Sequence, residues 1–143
     1  MKKHKIIIDT NLWISLLIGK RLSEIRTLCN SEFIDVYICN ELKEEFKRIA
    51  SQEKIRKYAN KERVVQTLEL MEVSCILSFI KDIVVTSALR DVDDLYLLAL
   101  ADTIKADYIL TGDKDLLTLQ SHNQTKIVTY NEFVLLVSRI KSV

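Results

Sequence analysis

The chain has 143 residues, enough for one compact domain with a substantial core, and its 48% hydrophobic and 29% charged content fits a soluble globular protein. Its net charge of +1 excludes a surface that is basic all over, so any attraction for a polyanion must be local. Three cysteines, Cys29, Cys39 and Cys75, show no CxxC or metal-ligand spacing and read as reduced, mostly buried thiols.

In chain order, His4–Asp9 contains the unbroken apolar run Ile6–Ile8, which predicts a strand buried on both faces. Thr10–Asn11 is a polar cap for a helix over Leu12–Ile18, which stops at Gly19. A second helix is expected over Arg21–Asn30, and the β-branched and aromatic Asp35–Cys39 is the second strand. Charged residues interleaved with apolar ones predict helices over 41–50, 53–59 and 61–80. Ile83–Thr86 is a short strand candidate. Asp94–Lys105 is apolar nearly all round and predicts a well-buried helix. Strands are expected at Asp107–Thr111 and Lys126–Tyr130, followed by helices over Lys114–Gln120 and Asn131–Lys141. The last of these carries Phe133, Leu135, Leu136 and Val137, suited to a core or an interface. With no proline and two glycines, turns must rely on Asn, Asp and Ser. The basic start (Lys2, Lys3, Lys5) leads into an apolar run cut short at Asp9, so no signal peptide is read, and no apolar stretch approaches the ~20 residues of a membrane span. A cytoplasmic protein without membrane association, formed as one domain over residues 1–143, is the expectation.

Alternation of strands with helices predicts an α/β fold with a mainly parallel sheet covered on both faces. Right-handed crossovers then put the carboxyl ends of the parallel strands on one edge, where such sheets bind ligands. Asp9 ends the first strand and Asp113 follows the Asp107–Thr111 strand, with Asp115 close behind. Either could serve only as a turn or cap residue, as Asp often does. Glu45 is more informative. On a helix through 41–50 it lies about 60° from Leu42 and about 40° from Ile49, on the flank of the core-facing stripe. A carboxylate there is costly unless a metal or a salt bridge compensates it. Asp94 opens the buried helix, where a cap is the alternative role, but Asp91, Asp93 and Asp94 crowd one short stretch and would repel without a cation. Oxygen ligands without His or Cys suit Mg²⁺ or Mn²⁺ rather than zinc. A carboxylate-held metal pair is a known solution to phosphodiester cleavage. His4 and His122 lie in polar segments and receive no role.

Ile6-Ile7-Ile8-Asp9-Thr10-Asn11, the Glu45 helix, Asp91-Val92-Asp93-Asp94 through Ala101, and Thr111-Gly112-Asp113-Lys114-Asp115-Leu116-Leu117 together resemble the PIN-domain nucleases over nearly the whole chain. The form is most similar to prokaryotic PIN proteins described as toxins of toxin–antitoxin systems. The resemblance implies a three-layer α/β/α sandwich with a sheet of about five strands ordered 3-2-1-4-5, and Mg²⁺- or Mn²⁺-dependent endoribonuclease activity. It makes Asp9, Glu45, Asp94 and Asp113 the acidic quartet that binds metal, with Asp115 a candidate fifth acid. It makes Asn11 the polar residue that holds the first aspartate and Thr111 a hydroxyl residue near the site. It also implies a cognate antitoxin that blocks the acidic pocket, and a homodimer. Val92 stands where many relatives carry proline.

For RNA, Lys47, Arg48, Lys54, Arg56, Lys57, Lys61 and Arg63 form a basic stretch with Tyr58 interleaved. Because Glu53 and Glu62 are mixed in, an ordinary solvated face fits it too. Arg48, one turn from Glu45, is the chosen phosphate contact. Two rival functions remain. A haloacid-type phosphatase needs a second acid where Asn11 stands. A catalytically silent RNA- or protein-binding module on the same fold needs no turnover.

Overall fold

The computed structural model describes residues 3–81 and 95–141, with side chains described through Arg139. β1 (His4–Ile8) lies at the centre of the sheet, and Ile6, Ile7 and Ile8 are fully buried, as an unbroken apolar run between two helical layers requires. It pairs in parallel with β2 (Ile34–Ile38) on one side and β4 (Tyr108–Leu110) on the other. β2 pairs in parallel with β3 (Ile76–Leu77), and β4 with β6 (Thr125–Val128). The short β5 (Ser121–His122) folds back antiparallel on β6, giving the order β3-β2-β1-β4-β6-β5. The architecture is an α/β fold with a mostly parallel sheet flanked by helices, consistent with a three-layer sandwich of the expected kind.

The expected strand Ile83–Thr86 lies outside the described residues. Within them, the third strand is Ile76–Leu77, inside the stretch expected as helix. α5 (Lys61–Ser74) stops earlier than expected because Cys75 turns extended (φ −102, ψ 154) and the chain joins β2, with Ser78 N–H donating to the Ile38 carbonyl at 2.9 Å. The apolar spacing of the helix runs on into the strand, so periodicity alone could not mark the change.

The remaining helices are α1 (Thr10–Ile18), α2 (Leu22–Cys29), α3 (Asn40–Ala50), the single turn α4 (Glu53–Arg56), α6 (Leu95–Ile104), α7 (Lys114–Leu119) and α8 (Tyr130–Lys141). α6 is buried at Leu97, Leu98, Leu100 and Ala101, as an almost entirely apolar helix must be. Along α8, Phe133 and Val137 join the core while Leu135 is 65% exposed. Cys39 is buried; Cys29 and Cys75 are free and half-buried, with their sulfurs 4.0 Å apart. No helix among the described residues is long and apolar enough to cross a membrane.

Candidate functional site

β1 ends at Ile8, and Asp9 follows in a position whose N–H is fixed by the Leu110 carbonyl of β4 at 2.9 Å. Two adjacent parallel strands thus release their chains side by side. Asp9 precedes α1, yet its carboxylate makes no capping bond there. It is 2% exposed, and Oδ2 accepts a hydrogen bond from the Thr111 hydroxyl at 2.8 Å. That same hydroxyl oxygen accepts the Asp113 N–H at 3.0 Å, so one buried threonine links the first and last acids.

Burial pushes the Asp9 carboxyl up to about 6, and the nearby charges of Glu45 and Asp113 push in the same direction against the lowering effect of the Thr111 bond. Among the described residues, the ion pairs Lys3–Asp35, Arg21–Glu24, Lys43–Glu72 and Lys47–Glu44 and the His122–Asp102 hydrogen bond leave out Asp9, Glu45 and Asp113. Among the described residues, Glu45 is held by hydroxyls and not by a salt bridge.

Glu45 is half-buried on α3. Its Oε2 accepts the Tyr96 hydroxyl at 2.6 Å and, more weakly, the Thr10 hydroxyl at 3.4 Å; the two hydroxyls lie 3.0 Å apart. Tyr96 is held well above the usual phenol range, first by burial and then by its bond to Glu45. Neither Tyr96 nor Thr10 was singled out from the sequence beyond Thr10's capping role. The signal was a tyrosine hydroxyl in the apolar first half of α6, two residues after Asp94. Thr10 belongs to the first turn of α1 and is fully buried.

Asp113 is half-buried at the start of α7 and its Oδ1 accepts the Asp115 N–H at 2.9 Å. One of its oxygens therefore does serve as a cap. Asp115 itself is exposed. Asn11 is exposed on α1; with Leu12, Ser15, Gly112 and Asp113 it lines an open cavity of about 450 Å³. The side-chain hydrogen bond to Asp9 comes from Thr111, the other residue expected near the site. A Cβ at Gly112 would meet nothing within 4 Å, so the chain there faces open space. A second cavity of about 530 Å³ is lined by Glu41, Glu44, Glu45, Arg48 and Tyr96, which puts Arg48 beside Glu45. Asp94, with Asp91 and Asp93, lies outside the described residues.

All the acids described here offer hard oxygen ligands, and a buried carboxylate with its proton affinity raised and no cationic partner among the described residues suits a divalent cation. Among the described residues, however, no group of three or more His, Cys, Asp or Glu side chains is gathered closely enough to hold a metal ion.

A family model described as PIN domain matches residues 5–115, a stretch that includes Asp9, Glu45, Asp94, Asp113 and Asp115. The chain is also similar to an uncharacterized protein of Methanocaldococcus jannaschii, 32% identical over 143 residues that cover 92% of this chain and 90% of the relative. The match extends across the two strands that lead to Asp9 and Asp113 and the helices between them, and on this ground the chain belongs to the PIN-domain family.

Proposed function

We propose that the protein is a Mg²⁺- or Mn²⁺-dependent endoribonuclease that hydrolyses RNA phosphodiesters at an acidic site made by Asp9, Glu45, Asp94 and Asp113, with Asp115 as an outer acid. Family membership supports a nuclease-like function in general. The observation that carries the specific reading is Asp9, buried at the strand edge with no cationic partner among the described residues and under the repulsion of Glu45 and Asp113. Keeping such a group costs stability, and a metal site gives a reason for it.

In this reading Thr111 aims the Asp9 carboxylate, while Tyr96 and Thr10 hold Oε2 of Glu45 and Oε1 would bind the ion. The bound ion would supply an activated water and stabilise the departing oxygen. Arg48 beside Glu45 is the proposed phosphate contact. In cells, the protein would be the toxin of a toxin–antitoxin pair, with an antitoxin covering this acidic edge. One observation favours a second reading, a catalytically silent RNA- or protein-binding module: the described carboxylates are not drawn into a ligand cluster.

The test is a mixed single-stranded RNA pool incubated with Mn²⁺ or Mg²⁺, beside EDTA and the Asp9→Asn variant. The proposal expects cleavage that needs metal and disappears in the variant. RNA bound but left intact under every metal condition would support the silent module.

A further inference from the structure

We propose that the groove between α3, α4 and α5 is an accessory binding track for single-stranded RNA, lying across α3 from the acidic edge; the identity of the occupant rests on the reading of the protein as a ribonuclease. The groove, of about 220 Å³, is lined by Lys47, Arg56 and Lys61 over an apolar floor that includes Ala50, Ala59 and Val64. All three cations are exposed.

Charge singles this surface out. Between Lys47 and Arg63 stand seven cations and two acids, a local charge of +5 in a chain whose net charge is +1, so the rest of the molecule carries −4. Much of that positive charge is not used internally. Among the described residues, Lys54, Arg56, Lys57 and Lys61 take part in none of the ion pairs, while Lys47 makes a 3.4 Å contact with Glu44. Arg63 is the exception: its guanidinium is spent on the Leu17 and Tyr58 carbonyls, which makes it a structural residue. A cluster of unpaired like charges repels itself and is relieved by a polyanion.

The placement fits a strand running from the site. Arg48 lines the cavity with Glu45, whereas its neighbour Lys47 lines the groove. The last turns of α3 therefore form a ridge with a cation on either side, and a helix is only about 10 Å across. Phosphates would meet the cations while bases contact the apolar floor, and Tyr58, 63% exposed beside Ala59, offers a ring for stacking.

The experiment measures binding without cleavage, in EDTA, using labelled single-stranded RNAs of different length across a range of salt. The variant carries Lys47→Gln, Arg56→Gln and Lys61→Gln together, with Arg56→Gln alone as the milder version. Loss of three phosphate contacts should flatten the plot of log affinity against log salt by about 2, and loss of one by about 0.7. At low salt the triple variant should bind a twelve-nucleotide RNA at least tenfold more weakly, while metal-dependent cleavage of a four-nucleotide RNA stays as in the wild type. Unchanged affinity and slope in both variants overturn the track. So does a variant that loses binding of a polyglutamate peptide but keeps RNA, which would assign the groove to an acidic protein partner. A wild type that binds RNA through these cations but never cleaves it would refute the nuclease and leave the track standing.

Discussion

At the scale of single residues, the site is organised by hydroxyls more than by charges. Thr111 donates to Asp9 and accepts from the Asp113 backbone, and Tyr96 with Thr10 fixes Glu45. Asp9 bears the main cost. Its carboxyl titrates at about 6 in the fold against an ordinary value of 3.8, so the folded state holds its proton more tightly than the unfolded chain. The penalty is absent below about 3.8, grows as pH rises through the interval to about 6, and is complete above it. A shift of this size corresponds to about 3 kcal/mol. Asp9→Asn in EDTA should therefore raise the stability of the protein at pH 8 by up to that amount, with the gain gone near pH 4; urea unfolding at the two pH values reads it. A destabilised variant at pH 8 would mean that the carboxylate is better compensated than its surroundings indicate. Tyr96→Phe removes the strongest bond to Glu45. Manganese titration followed by electron paramagnetic resonance should find affinity reduced by about tenfold with the melting temperature little changed, and wild-type affinity would remove Tyr96 from a positioning role.

Among the elements, α3 and α5 carry the most consequence. The flank position of Glu45 could be read from Leu42 and Ile49, because helical geometry fixes angles once the helix is granted; Leu42 and Phe46 are fully buried and Glu45 half-buried. The apolar run at Ile6–Ile8 was legible for the same reason. The end of α5 was not, since the apolar spacing of Leu70, Met71 and Val73 continues into Cys75-Ile76-Leu77 and only pairing with β2 makes the latter a strand. Tyr96 was hidden by its helix, where a tyrosine ordinarily packs as one more apolar side chain. Nor could sequence tell that Arg63 turns inward while its basic neighbours stay in solvent, because that depends on which carbonyls happen to lie within reach. The start of α5 is fixed by Asn60, whose side chain accepts the Arg63 N–H at 2.9 Å. Asn60→Ala should cost about 1 kcal/mol, seen as a lower urea midpoint with the same slope. An unchanged midpoint would show the cap to be dispensable there.

For the whole molecule, parallel topology does the positioning. β1 and β4 are neighbours, so the residues that follow them, Asp9 and Asp113, arrive at one edge although more than a hundred positions separate them in sequence. The helix bearing Glu45 follows β2, the other neighbour of β1, and reaches the same edge. Charge is divided along the same lines, acids at the strand ends and cations beyond α3. The account rests on the four acids working as one site. Single-turnover cleavage of one RNA in Mn²⁺ should be compared for Asp9→Asn, Glu45→Gln, Asp94→Asn and Asp113→Asn, each checked for folding. The account predicts that every one of the four lowers the rate at least about a hundredfold, and that pairs of substitutions add little more. Wild-type cleavage in a folded Asp9→Asn or Glu45→Gln protein would contradict it.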